Sequence, residues 1–312
     1  MRRLLKQMWT IIKLTFKYFL DKRGMKLSAS LAYYTIFSLP ALLIIIIWVS
    51  DFFYGRAAVE GTIYGQIESF VGQDAALQIQ QVIRNANYSG DSHFATIIGL
   101  ITLILGATSM FSEIQDSINF IWRLKAKPRR GKGWLRLIIN RLLSFSIVIT
   151  LGFLALVSLL INGLLDVFID HLKDRFPDLT VYLVYIINIV LTFLITAFLF
   201  GVIFKVLPDA QVKCKDVRAG AITTAILFMG GRFLIGYYLG HNRMSSAYGA
   251  AGSVIVLLLW VYFSAVILYL GAAFTRAFAH ERGKGIYPNK YAVWVEQVEV
   301  ESKESLEHHQ ER

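Results

Sequence analysis

The chain has 312 residues, of which 56% are hydrophobic and only 17% charged, and its net charge is +11. Soluble domains are nearer a quarter charged, so an ordinary soluble globule is excluded; a single cysteine, Cys214, excludes an intrachain disulfide. The apolar residues concentrate in six runs, at 34–54, 94–114, 139–163, 181–205, 217–239 and 251–274, each long enough to cross about 30 Å of hydrocarbon as a helix.

The first twenty residues, "MRRLLKQMWTIIKLTFKYFL", have neither the continuous apolar stretch nor the small-residue cleavage site of a signal peptide. Leu5, Trp9, Ile12, Phe16 and Phe19 recur at helical spacing, and Lys6, Lys13 and Lys17 fall mainly on another face. The pattern predicts an amphipathic helix lying in the membrane interface, with a gate or lipid sensor as the functional alternative. The first span follows as "KLSASLAYYTIFSLPALLIIII". Ser28, Ala29, Ser30 and Ala32 are small enough for close helix approach, and Pro40 predicts a kink near Ser38. Helix packing explains this span, and a hinge beside a polar cavity is the functional reading; Ser30 and Tyr34 are its candidate binding residues.

The connection at 55–93 carries Ile63, Ile67, Phe70 and Val71, then Ile79, Val82 and Ile83, at helical spacing. Two short amphipathic helices over the outer mouth are predicted. "NYS" at 87–89 fits a glycosylation sequon that occurs often by chance. The second span ends "GATSMFSEIQDSINFIW", where Glu113, Asp116 and Asn119 are spaced by three and share about one helix face, near Ser109 and Ser112. A solvated helix end accounts for Asp116 and Asn119. Glu113 lies deeper, and a buried carboxylate costs several kcal/mol unless it is paired or protonated.

The fifth span contains "GGRFLIGYYLG" at 230–240. Arg232 stays charged at any physiological pH. It could snorkel toward the outer surface, near Asp51 or Asp166, with Tyr237 and Tyr238 marking the interface. It could instead face a cavity, with Gly230 and Gly231 leaving room for a carboxylate or lipid phosphate. By helix rise alone Glu113 is expected more than about 10 Å from it in depth. The tail from Val295, "VEQVEVESKESLEHHQER", is polar and expected to be partly disordered.

Basic residues set the orientation. Segments 1–26, 123–141, 205–218 and 276–312 hold 26 of the 32 Lys and Arg; the intervening connections hold 5, and Arg232 is the remaining one. Both termini are therefore expected in the cytoplasm, and the basic balance reads as membrane anchoring rather than nucleic-acid binding. Six histidines show no HxH or HExxH spacing, and no GxxxxGK[ST] or GxSxG motif is present. No catalytic residue, metal or cofactor is expected.

"KLSASLAYYTIFSLPALLI", "FSEIQDSINFIW" and above all "AYGAAGSVIVLLLWVYFSAVILYLGAAFTRAF" resemble the YihY/virulence factor BrkB family of bacterial inner-membrane proteins over about residues 10–285. The resemblance implies six transmembrane helices in a bacterial plasma membrane. The family has carried the label ribonuclease BN, but ribonucleases of that name have a histidine-rich zinc motif that this chain lacks. The family offers no catalytic residue to carry over; resistance to host killing and transport have been associated with it.

The expectation is an all-α, multi-pass protein of the bacterial inner membrane, with six transmembrane helices, cytoplasmic termini and an amphipathic N-terminal helix. Its parts are a cytoplasmic helix at 1–26, a transmembrane domain at 27–280 and a polar tail at 281–312. A transporter or permease-like function is expected, with an anionic or lipidic substrate favoured by Arg232. A scaffold or envelope-resistance factor, an intramembrane lipid enzyme and, least, a ribonuclease are the rivals. The candidate substrate-binding residues are Arg232, Glu113, Asp116, Asn119, Ser30 and Tyr34. Membrane lipids and an unidentified small or lipidic substrate are the expected partners, and no nucleic acid.

Overall fold

The computed structural model describes residues 2–36, 109–127, 177–241, 250–282, 285–289 and 292–296. Helix α1 covers Arg2–Asp21. A turn at Lys22 and Arg23 leads to α2, described over 24–36. Next come α3, described over 109–121, and the short strand β1, Leu124–Ala126. Helix α4 spans Pro177–Val206, β2 Ala210–Gln211, α5 Cys214–His241 and α6 Ala250–Glu281. Strands β3, Tyr287–Pro288, and β4, Ala292–Trp294, follow α6.

Three of these helices contain stretches long and apolar enough to cross a membrane: Ile189–Val206, Cys214–Ile235 and Leu257–Glu281. They match the last three predicted spans, but each helix outruns its apolar run. α6 in particular continues seven residues past Phe274, through Thr275 and Arg276 to Glu281. Backbone hydrogen bonding favours continuing a helix through the headgroup layer once lipid has forced it to form. The predicted third span, the outer connection at 55–93, Pro40, Asp51, Asp166 and the tail beyond Glu296 lie outside the described residues.

α5 packs between α4 and α6, and α1 packs against α6. The α5–α6 contact is built on a reciprocal pair of Gly-x-x-x-Thr repeats. A Cβ on Gly220 of α5 would stand 1.9 Å from Thr275 Oγ1 of α6, and one on Gly271 of α6 would stand 1.9 Å from Thr224 Oγ1 of α5. Each threonine thus occupies the hollow left by the other helix's glycine. Both hydroxyls are turned back onto their own helix: Thr224 donates to Gly220 O at 2.7 Å and Thr275 to Gly271 O at 2.8 Å. Small residues allow such close approach where hydrophobic burial gives no driving force between helices. On the other flank of α5, Ala221 meets Gly201 of α4, and Phe228 stands edge-on to Phe200 of α4 at 5.7 Å and to Trp260 of α6 at 6.4 Å.

The strands tie the helix ends together. β1 pairs antiparallel with β4, Leu124 opposite Trp294, and β2 pairs antiparallel with β3, Ala210 opposite Pro288. The residues after α3, α4 and α6 therefore meet at one end of the bundle. The end of α1 joins them, since Arg276 of α6 stacks on the Tyr18 ring at 4.2 Å and Lys22 sits over the Phe120 ring at 4.7 Å. These are the same four segments that the basic residues group on one side. The sequence pattern held no sign of the strands: with two or three residues each they have no period to read.

Candidate functional site

The polar residues of the described bundle gather where α3 ends against α6 and the turn after α4. α3 stops because Arg123 adopts a left-handed conformation, φ 59°, and turns the chain into β1. Arg23, φ 53°, ends α1 in the same way. Both are arginines where glycine is the ordinary choice, a conformation costing about 1–2 kcal/mol per residue, so the surrounding contacts hold the turns. α3 is fastened to α6 in both directions. The Trp122 indole donates to Ala272 O at 2.9 Å, and the Arg276 guanidinium donates to Ile121 O. The second bond brings a cation to the carbonyl end of α3, where the helix dipole favours it.

Asp209 is the centre of the second contact. It lies in the turn between α4 and β2 and is buried. Its carboxylate accepts from Asn119 Nδ2 at 3.0 Å and from Gln115 Nε2 at 3.2 Å. Its own N–H donates to Asn119 Oδ1 at 2.9 Å, and its carbonyl accepts from the Asn289 N–H at 3.0 Å. One aspartate thereby joins α3, the α4–β2 turn and the segment after β3. This corrects the solvated reading of Asn119: its side chain is buried and shares two hydrogen bonds with Asp209. Sequence reasoning missed Asp209, a lone acid in "LPDA"; the only signal was an acidic residue in a connection that holds four Lys and Arg.

The other two members of the three-residue spacing remain available. Asp116 is exposed beside this hub. Partial removal of its carboxyl from water, reinforced by the nearby Glu113 and Asp209, raises its pKa above the usual aspartate value. Glu113 is half-buried one turn further along and accepts a long hydrogen bond, 3.5 Å, from Ser117. Next to Ser117 is Tyr269 of α6, wholly buried, whose hydroxyl approaches the Ser117 side chain but makes no hydrogen bond of ordinary geometry among the described residues. Asp216 Oδ2, buried in the first turn of α5, likewise has no hydrogen-bond partner among the described residues. Lys22, on the α1 side of the same end, is held below the usual lysine value by burial and by the nearby Arg123 and Arg276.

Arg232 is half-buried on α5, next to Phe233 and Leu234, which protein barely covers (74% and 67% exposed). It extends the stripe Ala221, Ala225, Phe228 at helical spacing, the stripe packed toward α4 and α6. Gly230 and Gly231 differ in surroundings: Gly230 faces open space, whereas a Cβ on Gly231 would stand 2.4 Å from Ile267 Cδ1. Gly231 therefore makes room for α6. Ser30 is half-buried and Tyr34 exposed on α2, with Tyr33 and Tyr34 edge-on at 5.7 Å. The structure thus joins Asn119 to Asp209 next to Asp116 and Glu113, while Arg232, Ser30 and Tyr34 belong to other helices. Among the described residues no group of three or more His, Cys, Asp or Glu side chains is arranged to hold a metal ion.

A sequence model of the virulence factor BrkB family matches residues 15–292. Relatives named "UPF0761 membrane protein" include one from Saccharophagus degradans, 26% identical over 279 residues, which covers 88% of this chain and 61% of the relative. One from Tolumonas auensis is 27% identical over 267 residues, covering 80% of this chain and 78% of the relative. One from Chromobacterium violaceum is 27% identical over 267 residues, covering 84% and 60%. The chain thus spans about three fifths of the length of the Saccharophagus and Chromobacterium relatives. No solved structure matches it. With apolar helices able to cross a bilayer and a family match over most of its length, the chain is a multi-pass bacterial membrane protein and belongs to the virulence factor BrkB family.

Proposed function

We propose that this protein is permease-like, moving an anionic or lipidic substrate along a path in which Arg232 meets the negative group. One observation carries this reading. Arg232 continues the packed stripe of α5 rather than the lipid-facing stripe of Ile222, Ile226 and Phe233. An arginine held toward the interior of a membrane bundle is a functional-site candidate by the energetics of burying it, and its planar fork suits a carboxylate or phosphate.

The helix register adds Glu113. The pairs Gly220 with Thr275 and Thr224 with Gly271 run α5 antiparallel to α6, which brings Arg232 level with residues near Phe263. Ser117 lies beside Tyr269, and Glu113 is one turn outward of it. By a rise of about 1.5 Å per residue, Arg232 and Glu113 then stand within roughly one or two helical turns in depth, closer than the sequence alone suggests. The end holding the strands is the cytoplasmic end on this reading, because it carries most of the Lys and Arg. No bond is made or broken, and neither metal nor cofactor takes part.

A second reading, a non-transporting scaffold, is favoured by the polar side chains already used in packing: Asn119 and Gln115 on Asp209, and Thr224 and Thr275 in their glycine hollows. Complementation of a deletion strain separates the two. Arg232→Lys and Glu113→Gln should express and fold normally yet fail to restore the deletion phenotype. Full rescue by both Arg232→Lys and Arg232→Gln would leave Arg232 a structural anchor and remove the case for an anionic substrate.

A further inference from the structure

We propose that α1 is a surface-lying helix that selects anionic phospholipid from the leaflet it touches. The sequence suggests two faces, and the structure divides the helix into three. Ile11, Thr15 and Phe19 are buried against the protein. The ring of Phe19 also fills the place where a side chain at Gly24 would go, 2.2 Å from that position, which sets the bend into α2. About a quarter turn away, Trp9, Ile12, Phe16 and Leu20 form a continuous apolar stripe that protein leaves open, with exposures from 42% to 70%. A further quarter turn on, Lys6, Lys13 and Lys17 are all exposed. Phe19 therefore leaves the apolar face that the sequence pattern assigns to it, and Leu20 joins that face.

Two occupants could cover the open stripe: lipid, or a second copy of the chain. The lysines choose lipid. They border the stripe along its length, as the phosphate plane borders the acyl region of a leaflet, and their long stems let the ammonium groups rise while the helix sinks. The orientation follows from the same three residues. Lys6 and Lys17 are eleven positions apart, about 16 Å of helix. An upright α1 would spread them over about half of the 30 Å hydrocarbon layer; a flat one holds all three at a single depth. Only two turn residues, Lys22 and Arg23, separate α1 from α2, so the helix already begins at the membrane surface. A second copy would have to bring acidic residues against Lys6, Lys13 and Lys17; at this end segments 123–141 and 205–218 hold 12 Lys and Arg against two acids, and the glutamates of 299–311 lie outside the described residues.

Selection for anionic headgroups is the new element. Each basic residue close to an anionic surface contributes about fivefold in partition, so three together favour an anionic neighbour on the order of a hundredfold over a zwitterionic one. This inference is independent of transport: it holds equally for a permease or a scaffold.

The test uses the full chain in a Cys214→Ala background, with a single cysteine at Ile12 or Phe16 carrying a bimane label, in nanodiscs of phosphatidylcholine with a minority of phosphatidylglycerol. Bromines are put on the acyl chains of one lipid at a time. Brominated lipid should quench both labels. Brominated phosphatidylglycerol should quench at least about fivefold more per mole than brominated phosphatidylcholine. Lys6→Gln, Lys13→Gln and Lys17→Gln together should bring that ratio to one without loss of helical signal, since all three side chains lie outside the core. Labels that neither brominated lipid quenches would overturn the proposal and point to a covering copy of the chain or to water. Equal quenching by the two lipids with the lysines intact would overturn the selectivity.

Discussion

Gly220→Ala probes the closeness of the α5–α6 contact. The added methyl would stand 1.9 Å from Thr275 Oγ1, about 1.5 Å short of the 3.4 Å at which ordinary contact begins. Thr275 Cβ follows at 3.0 Å and Cγ2 at 3.3 Å, so turning the hydroxyl away brings another atom forward. Either the helices separate, loosening Thr224 in the Gly271 hollow as well, or the Thr275 side chain leaves its preferred rotamer. Overpacking of this kind costs about 1–3 kcal/mol. With two interlocked pairs disturbed at once, the upper half of that range is expected. Thr275→Ala alone gives up a hydroxyl that donates within its own helix and the Cγ2 methyl beside Gly220, together a loss on the order of 1 kcal/mol. It also removes the colliding oxygen, leaving a 3.0 Å carbon contact that a small shift relieves. The double variant Gly220→Ala/Thr275→Ala should therefore unfold within about 1 kcal/mol of Thr275→Ala, a coupling of at least about 1 kcal/mol. The assay is reversible denaturation in mild detergent titrated with sodium dodecyl sulfate, followed by circular dichroism. A Gly220→Ala midpoint equal to that of the unmodified chain, or a double variant no better than Gly220→Ala, would refute the interlocked geometry.

The same denaturation run at several pH values reports on Asp116. Its carboxyl titrates higher in the folded chain than in the unfolded one, so the folded state holds the extra proton in the interval between the two values. Stability from this group is present at low pH and is lost as pH rises from the ordinary aspartate range through the raised value; Asp116→Asn should flatten that fall. A steeper fall in the variant would contradict it. For orientation, the single native cysteine, Cys214, is exposed at the strand-bearing end. In intact cells it should resist an impermeant thiol reagent, while a cysteine at Ser89 in a Cys214→Ala background should react; equal labelling of the two would reject the cytoplasmic assignment of that end.

The long helices were legible because lipid leaves the chain one option. A run such as "LVYIINIVLTFLITAFLFGVIF" has to satisfy its own backbone hydrogen bonds, and α4 accordingly covers it from Pro177 to Val206. The close α5–α6 packing was only half legible. Gly220 and Gly271 are visible as small residues, but their threonine partners depend on the mutual register of two helices, which a single sequence does not encode. Asp209 shows the limit more sharply. Its partners Gln115 and Asn119 are 94 and 90 positions away, and nothing local distinguishes an aspartate that accepts two buried amides from one in water. α1 was legible in kind and wrong in detail. Helical spacing identified the apolar residues, but which of them faces protein and which faces lipid depends on α6, 250 residues further along.

The strand pairs have a consequence for how the protein is made. Leu124 finds its ladder partner in Trp294, and Ala210 finds Pro288. At the usual 5–20 residues per second, Leu124 leaves the ribosome on the order of ten seconds or more before Trp294 exists. The helices between them can enter the bilayer during that interval, since each satisfies its own backbone. The rim that links the ends of α3, α4 and α6 cannot form until the segment after α6 has been synthesised, so during biogenesis this end of the bundle is the last to be fastened.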